Sequence, residues 1–251
     1  LGDSRGLIRR TFSEALGKVG PSATPALRRA LLDSDDVIVR RAAAKTLKLV
    51  GDPSALHDLL KALLTDEDPV VQGSSAGAMA IFGEKAIELL EKVLLDPTSN
   101  AMQRGLASWG FSFVGAEAPL ALKKAAKSLN VEVRAAAIAA LGDQIQINGD
   151  QEAKSILINS INDPSSKVRA EATTLLGLLG ESAWVEPYLF EKLLDKEPSV
   201  RTKAAISLMK FNSNHSLNHL NEAKRLEKDK GVRKVLEQVI DFLSNRKQAI
   251  Y

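Results

Sequence analysis

Residues 33–66 read DSDDVIVRRAAAKTLKLVGDPSALHDLLKALLTD, and their pattern indicates the fold of the chain. Apolar residues follow Asp36 at helical spacing as far as Val50. Gly51-Asp52-Pro53 then interrupts the pattern, because glycine suits the left-handed position that ends a helix and proline suits the first turn of the next. Leucines at helical spacing continue from Leu56 to Leu64. The stretch therefore predicts a helix–turn–helix unit without a strand.

The same pattern recurs eight times, about every 32 residues, and each copy is anchored on a two-residue element that usually ends in Arg. The anchors are Ile8-Arg9, Val39-Arg40, Val71-Gln72, Gln103-Arg104, Val133-Arg134, Val168-Arg169, Val200-Arg201 and Val232-Arg233. Five copies have glycine twelve positions after the anchor, namely Gly20, Gly51, Gly83, Gly115 and Gly180. A fixed period of this length indicates stacked supersecondary units.

The repeat predicts an all-α fold, a right-handed α-solenoid of about seven helix pairs closed by a C-terminal helix over Gly231–Asn245. Since each unit contacts only its neighbours, residues 1–251 are predicted to form one continuous domain. The predicted units are 6–33, 34–66, 67–99, 100–128, 129–163, 164–196 and 197–228, followed by a cap over 229–251.

Composition excludes several classes of site. The chain has no cysteine, which excludes disulfides, thiolate metal sites and a cysteine nucleophile. No stretch approaches the roughly 18 consecutive apolar residues of a membrane span, and no signal peptide is expected. Residues 222–251 hold eight bases and five acids, which accounts for the whole net charge of +3, so residues 1–221 are neutral. That distribution lacks the long basic footprint of nucleic-acid binding, and the basic end is interpreted as a solvated cap.

The repeat resembles the HEAT family, and specifically the phycobilisome-lyase-type (E-Z type) HEAT-like repeat proteins of cyanobacteria. The resemblance is carried by DSDDVIVRRAAAKTLKLVGD (33–52), NVEVRAAAIAALGD (130–143) and DPSSKVRAEATTLLGLLGE (163–181). Within that family the chain is placed nearer the phycobilisome-degradation and lyase-homologue group than the lyases themselves. The resemblance implies phycobiliprotein subunits as partners, an open-chain tetrapyrrole (bilin) as a possible ligand and no required cofactor. It also implies a cytoplasmic protein, with a position peripheral to thylakoid-associated complexes as the more specific alternative.

The leading hypothesis is therefore a non-catalytic solenoid that binds phycobiliproteins or other tetrapyrrole-binding proteins in pigment turnover or maturation. A bilin lyase subunit is the first alternative. The absence of cysteine does not exclude it, because the resemblance implies that the accepting thiol belongs to the substrate protein. A generic assembly scaffold is a further alternative. A HEAT-fold DNA-repair enzyme is disfavoured by the neutral residues 1–221.

The arginine of the anchor has two interpretations. A ladder of anion sites is one, but a binding site rarely repeats one residue in every unit. We therefore predict that each arginine bonds to an acidic side chain or a helix-end carbonyl of its neighbour.

The third and fourth units lack the charged residues that the other units carry along the first helix. PVVQGSSAGAMAIFG (69–83) and GLASWGFSFVGA (105–116) contain no charged residue. Because neighbouring units stack, these two stretches predict a neutral surface for a partner or flat ligand; tighter core packing around Trp109 is the alternative. The candidate binding residues are Gln72, Ser74, Ser75, Gln103, Arg104, Ser108, Trp109 and Ser112.

Other candidate sites are weaker. Trp184 and Tyr188 could face a groove, although packing at the corner is the preferred interpretation. His215 and His219 have the spacing of metal ligands, but they lack the further ligands of a zinc site and are interpreted as surface residues. Glu84, Glu88 and Glu91 are interpreted as a solvated helix face. No catalytic and no metal-binding residue is predicted. Residues 143–151 (DQIQINGDQ), which lengthen the fifth unit, are predicted to form a longer loop.

Overall fold

The computed structural model of the chain describes residues 1–180, 183–211 and 214–248. Every regular element in these residues is a helix. The all-α class predicted from the repeat is therefore confirmed. The chain divides into two compact units, Leu1–Ala140 and Leu141–Tyr251. The right hand of the solenoid and its continuity as one domain stay predictions.

Unit 1 is built from two rows of helices. The row of first helices runs α1, α3, α5, α7 and α9, each in contact with the next, and α2, α4, α6 and α8 form the second row. Their bounds are Gly6–Val19 (α1), Thr24–Asp33 (α2), Val37–Val50 (α3), Leu56–Thr65 (α4), Pro69–Met79 (α5), Glu84–Leu95 (α6), Ala101–Val114 (α7), Pro119–Ala125 (α8) and Val131–Ala139 (α9). Short 3₁₀ segments lie at Gly20–Ala23, Pro53–Ala55 and Ala80–Phe82.

Unit 2 repeats the arrangement. Helix α12 contacts α14, which contacts α16, and α13 contacts α15 in the other row. The bounds are Gly142–Gln146 (α10), Gln151–Ser160 (α11), Ser166–Leu178 (α12), Glu186–Lys192 (α13), Pro198–Leu208 (α14), Asn214–Leu226 (α15) and Lys230–Gln248 (α16). The last helix contains the predicted cap helix and extends beyond it at both ends. None of the described helices is both long enough and apolar enough to cross a membrane.

Two of the glycines that stand twelve positions after the anchor, Gly51 and Gly115, are present for different physical reasons. Gly51 takes the left-handed conformation, with φ 70° and ψ 19°, and its N–H donates to the carbonyl of Leu47, as predicted for a helix end. Gly115 has φ −59° and does not need glycine for its backbone conformation. A Cβ atom there would lie 2.7 Å from Cδ2 of Leu122, so close packing of α7 against that side chain accounts for this glycine.

The insertion in the fifth unit is not simply a loop. Residues 142–146 form the short helix α10, and only the segment after it turns, with Gly149 at φ 62°. Gln144 is buried, its side-chain oxygen accepts from Asn148 at 3.0 Å, and its carbonyl accepts from the N–H of Asp150 at 2.9 Å. The buried side chain of Gln144 therefore holds this segment against the protein. The polar residues of the segment do not reveal this burial from the sequence.

Candidate functional site

Helices α5 and α7, which carry the two uncharged stretches, lie against each other. Where they meet, α5 has glycine and α7 has an aromatic ring. A Cβ atom on Gly73 would lie 3.0 Å from Cη2 of Trp109, and one on Gly77 would lie 3.9 Å from Cδ1 of Phe113. The two rings pack edge to face with centroids 4.9 Å apart. The interior glycines of α5 thus make room for the aromatic side chains of α7.

Part of this contact region remains accessible. Trp109 is 40% exposed and Met102 is 66% exposed on α7, and Val70 is 46% exposed on α5. We call the accessible uncharged residues of this region the neutral surface; they are Val70, Ser74, Ile81, Met102, Trp109 and Ser112. Exposed apolar residues grouped in this way are typical of a binding surface. Ser108, half-buried beside Trp109 in the sequence, lies at its border.

Two of the predicted site residues are not accessible. Gln72 is buried, and its Nε2 donates to the carbonyl of Asp66 at 2.7 Å. Ser75 is fully buried. The prediction that these residues border the binding surface is therefore wrong. Gln72 occupies the anchor position of arginine and forms the same bond to a carbonyl six residues earlier. Ser75 occupies a position where Ala43, Ala107 and other equivalent residues are buried alanines.

Gln103 and Arg104 are engaged in local structure. The amide of Gln103 donates to the side chain of Asn100 at 2.9 Å, and its own side-chain oxygen accepts from the amide of Asn100 at 3.0 Å. This reciprocal pair caps the start of α7. Arg104 donates to the carbonyl of Ser99. Both side chains are half-buried, and these bonds account for their presence without a ligand.

The arginines of the anchor column are structural, as predicted. Three of them each donate two bonds of 2.7–3.2 Å to a carboxylate 26 positions later, in the pairs Arg40–Asp66, Arg169–Asp195 and Arg201–Glu227. The same three side chains donate from Nη1 to carbonyls five and six residues earlier. The column therefore ties the first helix of a unit to the end of its second helix and to the turn that precedes the first helix.

These ion pairs shift the pKa values of their carboxyls. Burial raises the pKa of Asp195, but hydrogen bonds from Arg169 and from the N–H of Glu197 outweigh burial and leave the pKa below its ordinary value. Hydrogen bonds from Arg201 lower the pKa of Glu227. A separate pair on the surface of unit 1, formed by Arg41 and Asp68, lowers the pKa of Asp68 to about 2.

In the second aromatic cluster, in unit 2, Trp184 contacts a lysine and a second aromatic ring. Nζ of Lys154 lies 4.0 Å from the centroid of the Trp184 ring. Tyr188 packs against Trp184 with the ring centroids 6.3 Å apart. Both aromatic side chains are half-buried. This geometry favours packing over a groove, but a binding role for Trp184 and Tyr188 stays a prediction.

The histidine pair does not form a metal site with other described residues. Nδ1 of His219 lies 2.8 Å from the carbonyl oxygen of His215, and its ring stacks on Phe190 with centroids 3.8 Å apart. Among residues 1–180, 183–211 and 214–248, no group of three or more potential ligand side chains is placed to hold a metal ion.

The repeat register relates the neutral surface to charged residues of α3. Lys45, Gly77 and Trp109 each stand six positions after the anchor in α3, α5 and α7. Arg41 and Gly73 stand two positions after it in α3 and α5. Equivalent positions of stacked repeats present the same face. Along one face of unit 1, α3 therefore presents two bases, α5 presents two glycines and α7 presents the Trp109 ring.

A groove of about 600 Å³ lies at the charged end of this face, between α1, α3 and the start of α5. Its charged lining residues are Arg9, Arg10, Glu14, Arg41 and Lys45. This groove is not predicted from the sequence, because the charges of the early units follow the ordinary pattern of solvated first helices. The shared register of these bases was the signal that could have found it.

Comparison with known families and proteins gives one family and one characterised relative. HEAT repeats match over residues 1–80, 24–108, 118–187 and 155–241. The bilin biosynthesis protein MpeU of Synechococcus sp. (strain WH8020) is 44% identical over 236 residues, which cover 94% of this chain and 80% of MpeU.

Solved structures with similar helical repeats were also found. The complex of CpcE and CpcF of phycocyanin lyase from Nostoc sp. PCC7120 is 20% identical with a TM-score of 0.39, covering 90% of this chain and 92% of the matched one. A designed armadillo repeat protein is 19% identical with a TM-score of 0.38, covering 88% of this chain and 99% of that one.

Proposed function

This chain belongs to the HEAT-repeat family and, within it, to the phycobilisome lyase-type proteins, and we propose that it works in bilin biosynthesis as a lyase subunit. In this role it holds an open-chain tetrapyrrole while the pigment is attached to a phycobiliprotein or detached from it. The observation that carries the proposal is the 44% identity with a bilin biosynthesis protein along 94% of the chain. The sequence alone favoured a non-catalytic role. The identity with MpeU favours the lyase alternative instead.

The chain's own contribution is to bind and orient. It contains no cysteine, so the thiol that forms the bond to the pigment belongs to the substrate protein. The neutral surface supplies what a flat conjugated ligand needs. Trp109 is held by Phe113 and by the glycine face of α5, and part of its ring system remains accessible. A fixed, partly exposed aromatic ring offers stacking area at little entropic cost.

A second candidate is the non-catalytic carrier or chaperone of pigmented proteins. It is favoured by the electrostatics of the described residues. Their carboxyls with a lowered pKa are bonded to arginines or to nearby turn and helix-start groups. Glu91 on α6 has its pKa raised by burial, but Lys124 opposes the shift, and no acid–base partner arrangement accompanies it. A subunit without its own proton-transfer pair can still position a pigment.

Incubation of the purified chain with a bilin and an apo-phycobiliprotein tests the proposal. Wild type is expected to yield a pigment that stays on the phycobiliprotein after denaturation. Trp109→Ala should reduce the yield about tenfold or more, the loss expected for a central aromatic contact. Phe242→Ala is the matched control, since Phe242 on α16 is 47% exposed and lies outside the neutral surface.

Two other outcomes are informative. Pigment that co-purifies with the chain but never becomes covalently attached would favour the second candidate. A chain that neither binds pigment nor promotes attachment would contradict both candidates.

A further inference from the structure

We infer that the groove between α1, α3 and α5 is a carboxylate-recognition site, which binds the two acidic side chains of a flat apolar dianion. The inference rests on the proposed function, under which that dianion is the tetrapyrrole and the acidic groups are its propionates. We call this site the basic groove. The remainder of the ligand would extend over the glycines of α5 toward Trp109.

The charge of the basic groove fits a dianion. Four bases and one acid line it, a charge of +3, and Asp68, which pairs with Arg41, reduces this to +2. Glu14 is paired with Arg10 at 2.8 Å. Positive charge concentrated in a concave site attracts anions.

The donors of these bases are only partly used by the protein. Lys45 is exposed and forms no ion pair or hydrogen bond with the residues that the structure describes. Nη1 of Arg9 donates to the carbonyls of Asp3 and Ser4, which do not neutralise its charge. Arg41 uses Nε and Nη2 for Asp68 and retains Nη1. The basic groove therefore keeps one free ammonium and guanidinium donors for a ligand.

Apolar side chains continue the site toward the neutral surface. Leu49 and Val70 line the basic groove and are exposed, although both are large hydrophobic residues. Val70 belongs to both the groove and the neutral surface, and Gly73 lies three positions after it on the same face of α5. Trp109 packs over Gly73. A ligand bound here would meet charge at one end and apolar or aromatic surface along the rest.

The size of the basic groove favours a small molecule over a protein segment. Its volume of about 600 Å³ lies within the range of roughly 300–1,000 Å³ that small-ligand sites occupy. Its mixture of a few charged groups with an apolar wall is also typical of such sites. A purely electrostatic acidic-peptide site would have no use for Leu49 and Val70.

The test compares a free tetrapyrrole with its uncharged ester. Biliverdin and biliverdin dimethyl ester are titrated into the full chain, and binding is followed by pigment absorbance. Wild type should bind the diacid about tenfold more tightly than the diester. Lys45→Met should weaken diacid binding by about tenfold and leave diester binding unchanged. Lys48→Met is the matched control, since Lys48 is an exposed lysine of the same helix that does not line the groove.

Each remaining outcome overturns the inference in a distinguishable way. Diacid and diester of equal affinity, or equal effects of the two lysine substitutions, would overturn the basic groove while the proposed function stands. Failure of both compounds to bind would overturn the groove together with the proposed function. Displacement of biliverdin by a poly-glutamate peptide at matched concentration would assign the groove to an acidic protein segment instead.

Discussion

At the scale of single residues, the arginine column shows how a repeat pattern can be chemically conspicuous and still structural. The guanidinium of Arg169 is buried and bonds to Asp195 and to two carbonyls, so it directs four hydrogen bonds into the fold. The sequence predicted this role from the regularity of the column. It could not identify the acid, since the partner lies 26 positions away, in the connection between α13 and α14.

Removal of one member of this buried pair is expected to destabilise the protein. Arg169→Met should lower the free energy of unfolding by about 3 kcal/mol or more, because Asp195 would remain buried without its partner. Arg169→Met combined with Asp195→Leu should recover part of the loss. Denaturant unfolding measures both. Arg225→Met serves as the control, since Arg225 belongs to an exposed pair and should have no measurable effect. An equally small effect at Arg169 would contradict the structural role of the column.

The same pairs predict how stability depends on pH. Asp195, Glu227 and Asp68 have lowered pKa values in the folded protein. Their contribution to stability is therefore complete above their ordinary pKa values of about 4 and is lost as the pH falls through the lowered ones. Unfolding at pH 7, 5 and 3 should show a loss mainly below pH 5, with a shallower loss in Asp195→Asn. A variant with the same pH profile as wild type would contradict the account.

At the scale of helices, glycine occurs both where two helices pack closely and where the helix surface is open. Gly177 lies against α14, where a Cβ atom would be 2.3 Å from Oγ and 3.0 Å from Cα of Ser207. Gly105 has nothing within 4 Å of that position. Gly177→Ala should therefore lower the free energy of unfolding by about 1–3 kcal/mol. Gly105→Ala should raise it by up to about 1 kcal/mol, because alanine favours a helix. Thermal unfolding of both variants checks this, and effects of the same sign would be inconsistent with these contacts.

The positions of the helices were readily predicted from the sequence. Which residues of each helix are exposed was predicted only in part. The spacing of apolar residues around Gly51 predicted α3 and α4, since period and turn chemistry are local properties. The loss of charge in α5 and α7 correctly indicated an unusual region. Gln72 and Ser75 were wrongly assigned to its surface because uncharged residues give no sign of which way they face. Alignment of Ser75 with the buried alanines at the equivalent positions of the other units would have corrected this assignment.

At the scale of the whole molecule, charge is distributed in a way that a repeat alone does not require. The net charge lies at the C-terminal end, yet the basic groove holds a local excess within the neutral remainder. We therefore expect anion binding to be local and specific, without broad affinity for nucleic acid. Fluorescence anisotropy with a 30-base-pair DNA should show no binding at physiological salt. Tight, salt-sensitive binding would instead support a nucleic-acid function.

Under the proposed function, the tetrapyrrole lies on the neutral surface of α5 and α7. Hydroxyl-radical footprinting with and without biliverdin tests it most directly, because aromatic and sulfur side chains report their own accessibility. Oxidation of Met102 and Trp109 should fall several-fold on addition of the pigment, while Phe242 remains unchanged. Protection of Trp184 and Tyr188, with Met102 and Trp109 oxidised as before, would contradict the account.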